Sequence, residues 1–142
     1  MIYEEYESIW STIRKKEKEL NDTINKRDEL FQKTKPKSSK FDKEKIDSKK
    51  FKNMMEEYVI EKEYLDEKIV QLNITLDDRY QVLKRKRDEL KQSKNIYDRI
   101  YYLRYIERLS VYRISILIGY SKEQTYRYLK KITTLQNDTK WQ

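Results

Sequence analysis

The chain has 142 residues, of which 41% are charged and 37% hydrophobic, and a formal net charge of +8. That balance is poor for one globular core and suits long exposed helices. It holds no Cys and no His, which excludes disulfides and thiolate chemistry and removes the commonest nucleophiles, bases and soft metal ligands.

One Gly and one Pro leave few helix breakers, so an all-α fold is expected. No apolar run approaches the roughly 18 residues of a membrane span. The opening MIYEEYESIW is acidic and lacks an apolar signal core, so a cytoplasmic location is expected. Adjacent acidic pairs, Asp66–Glu67 and Asp77–Asp78, diverge by about 100° on a helix and do not converge on one substrate atom. No catalytic residues, metal site or cofactor are therefore expected, and the chain reads as a non-enzyme.

In chain order, Ile2 to about Thr34 is helical. Ile2, Tyr6, Ile9, Ile13, Leu20 and Leu30 follow alternating steps of four and three, with Lys16, Thr23 and Arg27 in the remaining slots. The next stretch, KTKPKSSKFDKEKIDSKK, contains the single proline and reads as a loop. Over residues 35–50 it carries seven Lys or Arg against three Asp or Glu. From Phe51 the heptad returns as Phe51, Met55, Tyr58, Lys62, Leu65, Ile69, Leu72, Leu76, Arg79, Leu83, Lys86 and Leu90, a coiled-coil seam with three cationic interruptions. A lone helix cannot bury such a stripe. Residues 1–92 are thus expected to form an antiparallel helical hairpin or coiled coil that also pairs two copies into a homodimer. The charge-dense KRKRDELKQSKN at Lys84–Asn95 reads as a solvated helix end, and Ser93 or Asn95 as the cap that opens a second domain, 93–142.

That second domain carries ten Lys or Arg against four Asp or Glu and eight of the thirteen tyrosines, a composition that suits a polyanionic partner. A short helix is predicted over roughly 96–107, from Ile96, Ile100, Leu103 and Ile106. Most of Tyr97, Tyr101, Tyr105, Tyr120 and Tyr128 are expected in the core. Ser110 caps a second helix, Val111–Ile118, with apolar positions Val111, Ile114, Leu117 and Ile118. The lone Gly119 follows, where a sharp helix stop needs positive φ. Ser121 and Gln124 then spell a capping box for a third helix, from Lys122 to about Leu135. Two helices joined by so short a turn, the second capped and basic, predict a helix-turn-helix. Thr125, Tyr128, Leu129 and Ile132 should face inward. Lys122, Glu123, Tyr126 and Arg127 should face the base edges of a major groove, with Lys130 and Lys131 on phosphates.

The segment YYLRYIERLSVYRISILIGYSKEQTYRYLKKI resembles the helix-turn-helix of sigma-factor region 4. It is similar, too, to small phage-type transcription regulators of the RinA and ArpU kind, which join an N-terminal helical part to such an end. Leu103, Arg104, Tyr105, Ile106, Leu109, Ser110, Gly119, Tyr120, Ser121, Tyr126, Arg127, Tyr128 and Leu129 match the pattern. Arg108 stands where the family often has glycine, Arg113 where it has an acidic residue, Ser115 where it has alanine, and Thr125 where it has Val or Ile. The resemblance implies a sequence-specific double-stranded DNA-binding regulator of phage or mobile-element origin, with RNA polymerase as a further candidate partner. The alternative is a protein-interaction adaptor or phage counter-defence inhibitor built on the same scaffold.

Overall fold

The computed structural model describes residues 1–34 and 48–138, and it is all-α. The helices are α1 (Ile2–Thr34), α2 (Ser48–Gln92), α3 (Ile96–Tyr101), α4 (Val111–Ile118) and α5 (Lys122–Asp138), with a π-helical turn, Tyr102–Ile106, extending α3. Among the described residues no helix is long and apolar enough to cross a membrane. The basic loop expected at 35–50 falls mostly outside the described residues; its last three positions, Ser48 to Lys50, are the first of α2. Trp141 also lies outside them.

The chain divides into two compact units, Thr12–Tyr80 and a second made of Met1–Ser11 with Gln81–Gln142. The N-terminal eleven residues therefore group with the C-terminal part, where the sequence suggested a division near residue 92.

In the unit Thr12–Tyr80, α1 and α2 run antiparallel. Arg27 Nη1 meets Asp66 Oδ1 at 3.4 Å, Lys68 Nζ meets Glu19 Oε1 at 3.8 Å, and the Tyr80 hydroxyl donates to Glu17. Leu65, Ile69, Leu72 and Leu76 are buried, so this stretch of the seam is sheltered within one chain. The argument for a homodimer rested on that seam being uncovered, and here it no longer calls for a second copy. The earlier seam positions differ: Phe51 and Met55 are exposed and Tyr58 is half-buried. With Arg27 beside Asp66, the seven residues left in α1 reach only to about residue 59 of α2.

In the second unit the chain start is packed into an aromatic and aliphatic core. Tyr3 stacks on Tyr101 at 5.2 Å between ring centroids, and Tyr6 meets the same ring edge-on at 6.1 Å. Ile100, Ile114, Thr125 and Ile132 are fully enclosed, and Leu90 with them. Lys86, one of the cationic positions in the heptad, reaches out to Glu5 and Glu89. The Lys86 ammonium holds the Glu5 carboxyl below the usual carboxylate range. Acidic Glu4 and Glu5 also suit the positive end of α1.

Candidate nucleic-acid interface

The break before α3 forms where serine and asparagine predict it. The Asn95 side chain accepts the Tyr97 N–H at 2.9 Å, and Ser93 Oγ accepts the Asn95 N–H at 3.2 Å. Ser93 Oγ in turn donates to Asp98 Oδ2 at 2.8 Å. Asp98 is 2% exposed, and its other oxygen accepts the backbone N–H of Tyr3 at 3.0 Å. That N–H belongs to the first turn of α1, where no helical acceptor exists. A carboxylate in α3 thus caps α1 and fixes the base on which the next helices stand.

The predicted single helix over 96–107 is instead α-helical to Tyr101 and π-helical beyond it. Glu107 N–H reaches Tyr102 O at 3.0 Å and Leu109 N–H reaches Leu103 O at 2.9 Å, both wider than the α spacing. Arg108 closes the turn at φ 57°. This is the left-handed conformation that favours glycine, so an arginine here carries backbone strain. Side chains clamp the turn: Arg104 Nη1 donates to Leu109 O at 3.0 Å and the Tyr102 hydroxyl to Glu107 Oε1 at 3.1 Å.

Ser110 caps α4, its Oγ accepting the Arg113 N–H at 3.3 Å. The helix ends at Gly119 with φ 75°. Gly119 and Tyr120 N–H groups both turn back to Ser115 O, at 3.0 and 3.2 Å, the wrap that a left-handed C-terminal residue permits. Nothing lies within 4 Å of a Cβ placed on Gly119, so backbone conformation alone demands glycine there. Ser115 is buried and donates to Tyr112 O at 2.6 Å, which satisfies its hydroxyl.

Ser121 then caps α5, accepting the Gln124 N–H at 3.2 Å. No described hydrogen bond returns from the Gln124 carboxamide, so the expected box is half made and Gln124 keeps its side chain exposed. Thr125 is fully buried and donates to Ser121 O at 2.9 Å, the carbonyl one turn back. Leu129 and Ile132 are buried and Tyr128 is half-buried. α3 and α4 both pack on α5, and Tyr128 is held edge-on by Tyr97 at 5.1 Å and stacked on Tyr120 at 5.9 Å.

The inward and outward faces of α5 fall as the sequence predicts. Lys122, Glu123, Tyr126, Arg127, Lys130 and Lys131 are all exposed. Five of them stand on the open side of the helix. Lys131 leans towards α3, with its Nζ 3.4 Å from the Tyr97 hydroxyl and 6.0 Å from the ring centroid. The core expectation for the tyrosines holds only in part: Tyr101 is buried, Tyr97, Tyr105 and Tyr128 are half-buried, and Tyr120 is 41% exposed despite its stack. Of the apolar positions of α4, Leu117 is 57% exposed. An eight-residue helix buries only one narrow side, and here that side is Val111, Ile114 and Ser115.

The face can offer cationic groups, a phenol and a carboxylate to a groove, but among the described residues no cluster of three or more metal-ligating side chains accompanies it. Asp98 was not legible as a positioning residue, since its partner lies 95 positions away. Comparison of the chain with protein-family models, with curated proteins and with solved structures finds no match in any of the three.

Proposed function

We propose that the protein is a sequence-specific, double-stranded DNA-binding transcription regulator of phage or mobile-element type that lays α5 in the major groove. The observation that carries this reading is the division of α5 after a capped turn. Thr125, Leu129 and Ile132 are buried, while Lys122, Tyr126, Arg127 and Lys130 remain exposed on a helix entered through Ser121 and a left-handed Gly119. In that pose Arg127 is suited to guanine O6 and N7, Glu123 to the cytosine amino group, and Gln124, whose carboxamide the cap leaves available, to adenine. Lys130 suits phosphate, and so does Lys131 once it swings from Tyr97.

Selection of bound duplexes from a random DNA pool tests the reading. A recovered consensus of several base pairs, bound in the nanomolar range at physiological salt, supports it. A pool that stays random after repeated rounds overturns it.

A further inference from the structure

We propose that the outward face of α2 between Glu56 and Asp78 is a docking surface for a cationic amphipathic helix of a partner protein. This proposal stands independently of the DNA reading.

A second stripe runs along α2, separate from the buried seam. Ile60, Glu63, Glu67, Val70, Ile74 and Asp77 follow one another at steps of three and four, so they share one side of the helix. At 3.6 residues per turn this side lies roughly opposite Leu65, Ile69, Leu72 and Leu76. Its apolar members are open to solvent: Ile60 is 68%, Val70 54% and Ile74 57% exposed, with Val59 and Tyr64 exposed at the margins. An exposed apolar stripe at helical spacing on a chain this polar marks an interaction site rather than scattered surface residues.

Charge selects the occupant. The acidic members Glu63, Glu67 and Asp77 are exposed. The cations of this stretch, Lys62, Lys68 and Arg79, project on the seam side of α2, where Lys68 meets Glu19. A negatively charged, apolar strip on a chain of net charge +8 is therefore a local inversion of the molecule's character. A second copy does not fit. Antiparallel pairing that matches Ile60 with Ile74 sets Glu67 against Glu67, and parallel pairing stacks every carboxylate on its counterpart. A helix with apolar residues at steps of three and four, flanked by Lys or Arg, satisfies both features by the helix-in-groove mode.

The test uses the full chain and two labelled synthetic peptides of roughly 18 residues, long enough to hold a helix. One has a Leu/Lys amphipathic pattern and the other the same pattern in Leu/Glu. Fluorescence anisotropy is expected to show micromolar binding of the Leu/Lys peptide and none of the Leu/Glu peptide. Glu63→Gln with Glu67→Gln, and separately Val70→Ser with Ile74→Ser, should each weaken binding at least tenfold while the thermal melt stays in place. Unchanged affinity in either pair overturns the proposal, since the site must use both its charge and its apolar stripe. So does sedimentation in which the chain self-associates and Ile74→Ser returns it to monomer, which would make the face a contact between copies.

Discussion

Asp98 caps a helix that begins 95 residues earlier: its Oδ1 accepts the Tyr3 backbone N–H at 3.0 Å, while Oδ2 takes the Ser93 hydroxyl at 2.8 Å. One buried carboxylate thereby joins the start of α1, the start of the α2–α3 turn and the base of the helix-turn-helix. Replacing it with alanine strands a first-turn N–H and a hydroxyl in a closed environment. Asp98→Ala is expected to cost about 2–4 kcal/mol, and Asp98→Asn, which keeps an acceptor for Tyr3, roughly half as much. Urea unfolding of the two variants checks the order. Equal losses for both would mean that the charge alone matters.

Arg108 and Gly119 both sit at positive φ, 57° and 75°. They should respond in opposite directions. Arg108→Gly relieves the left-handed strain and is expected to stabilise by about 1 kcal/mol, whereas Gly119→Ala should destabilise by about the same amount. Because no atom lies near a Cβ at position 119, Gly119→Asn should recover part of that loss. Thermal melts of the three variants provide the comparison; a destabilised Arg108→Gly would show that the arginine side chain outweighs its own backbone strain.

Thr125 places a hydroxyl in the fully buried inner side of α5. Ser121 O accepts both the Thr125 hydroxyl, at 2.9 Å, and the Thr125 N–H, at 3.0 Å. Removing the hydroxyl therefore leaves that carbonyl paired. Thr125→Val is expected to change stability by no more than about 0.5 kcal/mol in either direction. A loss beyond about 1.5 kcal/mol in chemical denaturation would contradict this account of the α5 cap.

Alkaline pH should loosen the unit that holds the chain start. Burial pushes the Tyr3 phenol up to about 12, and burial together with the nearby Glu7 carboxylate pushes Tyr101 up further. The folded state thus keeps protons that the unfolded chain releases near pH 10. Their contribution is complete below that pH and is lost as pH rises through the folded values. Between about pH 10 and 12, stability should fall by roughly 1.4 kcal/mol per pH unit for each tyrosine. Tyr3→Phe keeps the ring stack on Tyr101 and should flatten the pH dependence of the urea midpoint. An unaltered slope would remove Tyr3 from the account.

Local chemistry made much of this architecture readable. Gly119, Ser110 and Ser121 mark their caps within a few residues, and Thr125, Leu129 and Ile132 mark the inner side of α5 through spacing alone. The heptad from Leu65 to Leu76 predicted a buried seam, but periodicity does not say which helix covers it, and α1 serves. Asp98 escaped notice because its partner is brought near only by the fold. Arg108 gave a signal only through the resemblance, which puts glycine there, and the wider π-helical turn before it had none. The acidic stripe on α2 was present in the spacing of Ile60, Val70 and Ile74; it was hidden by the stronger seam on the same helix.

The central claim is that the exposed side of α5 meets a nucleic-acid groove. Fluorescence anisotropy on a selected duplex, repeated across a salt series, tests it most directly. For Arg127→Ala combined with Lys130→Ala, the account predicts affinity at least tenfold weaker and a log–log salt slope shallower by about 1–2. Affinity and slope both equal to those of the unaltered chain would contradict it.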